Sequence, residues 1–267
     1  MNAIQTRGLR KVYPAPPQKG KRLGATGGGN GQPRMPVGDV VALDSLDLDV
    51  HEGEFFGMIG PNGAGKTTTI GILTTRVRPT AGTATVAGAD VRASEVEVRR
   101  RIGVVPQRPN PDRSLNVMEN LVFHAAYFGI PRKVATDRAA ALLEQLEIGS
   151  KAEAKVDEMS GGQQQRLMIA RALIHEPQII FLDEPTVGLD PNARQSLWAI
   201  LRDLHAEGRT IIMTTHYMDE ADQLSDRIAL LDRGRMLALD TPANLKARTP
   251  DGSLETFFIS LAGRRLD

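Results

Sequence analysis

Residues 60–68 are Gly60, Pro61, Asn62, Gly63, Ala64, Gly65, Lys66, Thr67 and Thr68. Their types and spacing suit the cradling of a phosphate chain. They fit G-x-x-x-x-G-K-[ST], the phosphate-binding loop of nucleoside triphosphatases. Backbone N–H groups must wrap the phosphates, and only residues poor in side chain let the backbone come so close. Gly60, Gly63 and Gly65 supply that freedom. Lys66 adds a point charge for the β- and γ-phosphates, and the Thr67 hydroxyl is suited to ligate Mg²⁺. An apolar run from Glu54 to Gly60 leads in as a strand, and a helical run from Lys66 through Ile70 to Leu73 leads out. The start of that helix then turns its partial positive charge toward the phosphates. The expectation is a chain that binds a nucleoside triphosphate.

Two more groups of residues extend that chemistry. The apolar run Ile179 to Leu182 ends in Asp183 and Glu184. A buried strand delivering an acid at its C-terminal end offers Mg²⁺ an anionic partner opposite the loop threonine. Glu184 beside it is a candidate general base for an attacking water. Met159, Ser160, Gly161, Gly162 and Gln163 open another helix. Ser160 is placed to cap it, and the two glycines let N–H groups approach an anion. His216 ends the apolar run Ile211 to Thr215. It should therefore emerge at the same sheet edge as Asp183 and Glu184, where an imidazole would hydrogen-bond a γ-phosphate. His51, His124, His175 and His205 have no such context and read as surface or packing residues.

The elements that must position these groups alternate between strand and helix. Strands are expected at Ile4 to Val12, Val40 to Val50, Arg101 to Val105, Thr210 to Thr214 and Arg227 to Leu231, with a small hairpin region at Gly82 to Val91. Helical patterns cover Asn116 to Leu146, Ser160 to Ile174 and Asn192 to Glu207, the last stopped by Gly208. Apolar runs alternating with helices imply an α/β fold with a mostly parallel sheet. Residues 14–37 are rich in Pro and Gly, with four basic residues and no acidic one. That stretch reads as a flexible surface insertion.

Bulk composition excludes several classes. An apolar fraction of 41% and a charged fraction of 24% are ordinary for a soluble globular chain. The formal net charge of +1 gives no footprint for nucleic acid. With no cysteine, disulfides, thiolate–metal sites and cysteine nucleophiles are out. No apolar run is long enough to cross a bilayer, and the first residues lack the apolar core of a signal peptide. Action at a membrane would require docking on a spanning partner.

Taken in order, these motifs resemble the ATP-binding subunit of an ABC transporter, over residues 4–246 apart from the insertion. The resemblance implies a P-loop ATPase core with a small antiparallel β part, a helical insert at 108–158 and a C-terminal tail at 247–267. By position, Gln107 matches the glutamine that reaches Mg²⁺ and the γ-phosphate side. Ser160, Gly161, Gly162 and Gln163 match the signature segment, with Met159 standing where leucine is usual. Asp183 matches the magnesium-side acid and Glu184 the catalytic glutamate. Gly188, Leu189 and Asp190 match the D-loop, His216 the switch histidine, and Tyr13 the aromatic that stacks on adenine. The resemblance further implies a second ATP-binding subunit, ATP sandwiched between two copies, and a transmembrane permease touched by the helical insert. The subunit would sit at the cytoplasmic face of the membrane. The stretch from Gly234 to Lys246 and on to Arg264 is similar to ABC-2 type exporters, which include drug-resistance, polyketide-antibiotic and nodulation-factor export systems. Phe257, Phe258 and Leu261 in it form an apolar stripe suited to core packing. The competing class is a soluble ABC ATPase of DNA repair, translation or cluster assembly. Such proteins usually carry tandem cassettes, coiled coils or zinc modules, whereas this chain has one phosphate loop and one signature. A regulator that never hydrolyses is disfavoured by the presence of both Glu184 and His216.

Overall fold

The computed structural model describes residues 1–15 and 38–263. Apart from Pro14 and Ala15, the insertion expected to be flexible lies outside them, as do residues 264–267. The elements in chain order are β1 (Asn2–Tyr13), β2 (Val40–His51), β3 (Phe55–Ile59), α1 (Lys66–Leu73), β4 (Ala81–Val86), β5 (Ala89–Asp90), α2 (Glu95–Arg101) and β6 (Ile102–Val105). Then follow α3 (Val117–Ala126), α4 (Arg132–Gln145), α5 (Gly161–Leu173), β7 (Ile179–Asp183), α6 (Pro191–Ala206), β8 (Thr210–Thr215) and α7 (Met218–Leu224). The chain closes with β9 (Arg227–Asp232), β10 (Arg235–Asp240), α8 (Pro242–Lys246) and α9 (Leu254–Gly263).

The strands form two sheets, one of order β2-β1-β4-β5 and one of order β10-β9-β3-β8-β7-β6. The first is antiparallel. In the second only the β9–β10 pair is antiparallel. This is the expected α/β architecture, a mostly parallel sheet with a small antiparallel part.

Central strands β3 and β7 are buried at every residue, as strands covered on both faces must be. Side chains alternate between the faces. Phe55, Ile180, Leu182, Ile211 and Met213 join a core with α3 to α6. Phe56, Ile179, Phe181 and Ile212 join a second core with α1 and the antiparallel sheet. The parallel strands β3, β6, β7 and β8 therefore release their C-terminal ends at one edge, where α/β sheets build their sites.

One local reading changes, and the C-terminal stripe packs as expected. The helical pattern over Asn116 to Leu146 divides into α3 and α4 around Gly129 (φ 74°) and Pro131. Phe123, on α3, is exposed. The tail at 247–267 contains α9, whose Leu254 and Phe257 are buried in a third core with α7, α8 and β9. Phe258 and Leu261 pack partly buried against that core.

Candidate nucleotide site

The strand ends converge on one cleft. It is lined by the phosphate loop together with Tyr13, Val40, Val41, Ala42, Gln107 and Glu184. Gly65 caps α1 with φ 106° and contributes no side-chain hydrogen bond, which leaves the first helical N–H groups available. A Cβ at Gly65 would come within 2.7 Å of Leu43 Cδ2 and 2.8 Å of the Ala42 carbonyl oxygen, so both its conformation and its neighbours require glycine. The loop is also braced from behind. The N–H of Gly234 donates to the Ala64 carbonyl (3.0 Å), and its carbonyl accepts from the Asp44 N–H (2.9 Å).

Gly234 was not singled out from the sequence. It sits with Arg233 in the two-residue turn between β9 and β10, both at positive φ, the conformation that suits a tight hairpin. An Arg-Gly pair between two apolar runs was the available signal.

Glu184 is the hub of the cleft. Its backbone is left-handed, φ 50°, and its N–H is held by the carbonyl and the hydroxyl of Thr214 at 3.0 and 3.1 Å. Such strain persists only where the surroundings over-determine it. The side chain accepts from Gln107 Nε2 (2.9 Å) and lies 3.3 Å from Lys66 Nζ and 3.4 Å from His216 Nδ1. Lys66 also donates to the Gly60 carbonyl at 2.6 Å. Lys66 and Glu184 are 4% and 7% exposed. Each charge is therefore tolerated chiefly because the other is there.

Asp183 Oδ1 accepts from Thr214 Oγ1 (2.6 Å) and, at the limit of a hydrogen bond, from Thr67 Oγ1 (3.5 Å). Thr214 is a second residue the sequence did not mark. A hydroxyl and a carboxylate facing each other are hard oxygen donors, as Mg²⁺ prefers. Among the described residues no cluster of three or more His, Cys, Asp or Glu could hold a metal. A magnesium ion at Thr67 and Asp183 would thus complete its shell with water and substrate oxygens, which is its usual habit.

Tyr13 stands at the mouth of the cleft, 38% exposed, with Lys11 Nζ 4.8 Å from its ring centroid. It pairs with Val40 across the β1–β2 register. The Ala15 N–H donates to Asp39 Oδ1 (3.0 Å), which ties the start of the insertion to the residues that follow it.

Ser160, Gly161, Gly162 and Gln163 do not line this cleft. They open α5 through a reciprocal cap: Ser160 Oγ accepts from the Gln163 N–H (3.3 Å), and Gln163 Oε1 accepts from the Ser160 N–H (2.9 Å). Asp190 is likewise outside the cleft and caps α6, accepting from the Ala193 N–H at 2.9 Å. Leu189 lies 4.0 Å from where a Gly161 Cβ would stand. The starts of α5 and α6 are therefore neighbours on the surface.

The remaining histidines are remote from the cleft. His175 stacks on Phe128 with ring centroids 3.7 Å apart. Burial, reinforced by Arg171 and His175, lowers the pKa of His124 to about 4, so it packs as a neutral ring.

A phosphate-binding loop after β3, an acid pair at the end of β7 and a histidine after β8 between them, on a mostly parallel sheet, define a P-loop nucleoside triphosphatase. A family profile described as "ABC transporter" matches residues 43–187. The Nod factor export ATP-binding protein I of Cupriavidus pinatubonensis is 44% identical over 212 residues, 79% of this chain and 65% of that one. Its namesake from Rhizobium sp. (strain N33) is 47% identical over 209 residues, 78% of this chain and 69% of its own length. The chain thus spans about two thirds of the length of the curated relatives it matches. A solved dimeric ATP-binding cassette in a post-hydrolysis state, bound to ADP and phosphate, aligns with TM-score 0.74 and 27% identity over 89% of this chain and 98% of that one. The ATP-binding subunit of an ABC transporter aligns with TM-score 0.77 and 25% identity over 97% and 99%. The chain belongs to the ABC transporter family and is one of its ATP-binding cassettes, a class of ATPase.

Proposed function

We propose that this chain is the ATP-hydrolysing subunit of an ABC-2 type exporter, working from the cytoplasmic face of the membrane on a separate transmembrane permease. One observation carries the reading. The start of α1 lies in the cleft with Lys66, Gln107 and Glu184, and Asp183 and His216 reach that cleft's Thr67 and Glu184, while the start of α5 lies outside it and exposed. A second cassette packed head to tail would bring its own Ser160, Gly161, Gly162 and Gln163 onto the phosphates held here. Two positive helix ends then grip one triphosphate, and hydrolysis removes that attraction.

The reaction follows from the contacts. The N–H groups of residues 63–68 wrap the phosphates, Lys66 turns to the β- and γ-phosphates, and Tyr13 stacks on the base. Thr67 and Asp183 would hold Mg²⁺, with Gln107 on the γ-phosphate side, and the ion would supply positive charge against the phosphate oxygens. Glu184 takes a proton from a water whose oxygen attacks the γ-phosphorus in line. The bond from that phosphorus to the β–γ bridging oxygen breaks, giving ADP and inorganic phosphate. His216 hydrogen-bonds the γ-phosphate and steadies Glu184. Because Lys66 and Gln107 both touch Glu184, a triphosphate that draws them away leaves the carboxylate free to take the water.

The export reading draws on the relatives' printed names and on α3. Phe123 and Tyr127 are 55% and 74% exposed and pack edge to face at 5.3 Å. They stand beside an apolar groove that includes Met118, Val122 and Ile130. Exposed aromatics next to an apolar groove suit a protein partner; a cassette working alone has no need of them. Glu184→Gln should form a stable dimer with MgATP and release phosphate about 100- to 1,000-fold more slowly. Undiminished turnover would remove Glu184 as the base. Phe123→Asp should keep basal turnover and lose stimulation by the permease; full stimulation would defeat the docking assignment.

A further inference from the structure

The loop that carries His216 is anchored by a carboxyl outside the cleft. Glu220, in the first turn of α7, is fully buried, and its Oε1 accepts from Trp198 Nε1 at 3.0 Å. The hydroxyls of Thr186 and Thr215 lie close to the same carboxyl, as does the Arg194 guanidinium. Neither Glu220 Oε2, Thr186 Oγ1 nor Arg194 Nε has a partner in full hydrogen-bond geometry. Burial raises the carboxyl above the ordinary range, and the Thr215, Thr186, Trp198 and Arg194 contacts oppose that rise.

The placement of these partners gives the cluster its meaning. Thr186 is two residues beyond Glu184, and Thr215 is the residue before His216. Arg194 and Trp198 belong to α6, the helix that Asp190 caps. Arg194 also lies over the Tyr217 ring (4.5 Å), which packs against the His216 ring (4.2 Å). One side chain thus joins the segment after Glu184, the segment bearing His216, and the helix that follows the D-loop. A fully buried carboxyl is costly to keep unless its contacts specify an arrangement that apolar packing would not.

We propose that Glu220 is a positioning residue for hydrolysis: it holds the His216 loop in register with Glu184 and with the D-loop end of α6. The inference rests on the proposed hydrolysis at Glu184 and deepens it. It acts through His216, which supplies the test. Glu220→Gln keeps the shape and an acceptor for Trp198 but removes the charge facing Arg194. Steady-state phosphate release should then fall about tenfold, with KM for MgATP and nucleotide Kd within about twofold of the parent. The decisive comparison is a double-mutant cycle. In a His216→Ala background, Glu220→Gln should change the residual rate by less than about twofold, because the route through His216 is already cut.

Trp198→Phe supplies an independent arm, since it deletes the N–H donor to Glu220, together with part of the buried indole, while leaving the carboxyl itself unchanged. It should lower kcat about two- to fivefold in the parent and not at all with His216→Ala. The proposal is overturned by parental kcat in Glu220→Gln, by rate losses that multiply in the double mutant, or by losses of kcat and nucleotide affinity in equal measure. If Glu220→Gln does not fold, the Trp198→Phe pair decides alone. The failures are separable: normal turnover in Glu184→Gln defeats the hydrolysis reading, whereas a dead Glu184→Gln beside a normal Glu220→Gln defeats only this inference.

Discussion

Two helices of this cassette begin with glycine-rich segments suited to an anion, yet their ends are finished differently. At α1 the cap is Gly65, held left-handed between Leu43 and Ala42, with no side chain on the helical N–H groups. At α5, Ser160 and Gln163 cap each other, so two donors are already engaged and the N–H groups of Gly161 and Gly162 remain. The first end is walled in by β2 and the β9–β10 turn; the second is open, with Ser160 and Gly161 exposed. An end without its own cap needs a ligand to satisfy it and suits a permanent cradle. A self-capped end is stable without ligand and suits a contact made and released in each cycle.

That contrast is tested most severely by the metal. Chelating divalent cations should bring phosphate release to background, because charge neutralisation at Thr67 and Asp183 is lost. A fluorescent ATP analogue should still bind, weakened about tenfold or less, since the α1 donors and Lys66 remain. If binding vanished together with turnover, the α1 end would not be a sufficient cradle. Gly65→Ala comes next. A methyl group there meets Leu43 and the Ala42 carbonyl at 2.7–2.8 Å with φ at 106°, which should cost about 2–4 kcal/mol of stability and more than about 100-fold in nucleotide affinity. Gly161→Ala has open space, its nearest neighbour being 4.0 Å away. Stability should hold within about 0.5 kcal/mol and single-subunit nucleotide affinity should not change, while steady-state turnover falls about tenfold or more. Equal losses of affinity in the two alanine variants would erase the distinction between the ends.

The contrast also explains what could be read from sequence. The phosphate loop is legible because its function is local: nine consecutive residues, 60–68, carry the donors, the charge and the metal ligand. Asp183 and His216 are legible because an apolar run announces the strand that delivers each. Gly234, Thr214 and Glu220 are not, since their importance lies in contacts with Ala64, Asp183 and Trp198, which fold topology alone brings near. Short helices such as α2 and α7, seven residues each, span too few turns for periodicity to show. Strand β10 is half-buried along most of its length and lacks the continuous apolar run that marks β7. The C-terminal stripe of Phe257, Phe258 and Leu261 was readable as packing, but α8 and α7, which it meets, come from elsewhere in the chain.

The smallest effect concerns the cap itself. Ser160→Ala removes the oxygen that accepts from the Gln163 N–H at 3.3 Å and leaves the reciprocal bond from the backbone N–H of residue 160 to Gln163 Oε1 in place. Loss of such a cap costs about 1 kcal/mol. Ser160 is exposed, so water satisfies the freed N–H and the midpoint of thermal unfolding should drop by only a few degrees, about 2–4 °C for a chain of this size. Turnover gives the sharper readout. If Ser160 only caps α5, Ser160→Thr should restore both stability and rate, because threonine offers the same oxygen. If the hydroxyl also reaches a phosphate held by the other cassette, Ser160→Thr should recover the melting midpoint but not the full rate, since its extra methyl group crowds the approach. A rate unaffected by either substitution would confine Ser160 to the helix it begins and leave the N–H groups of Gly161 and Gly162 as the only donors this end can offer.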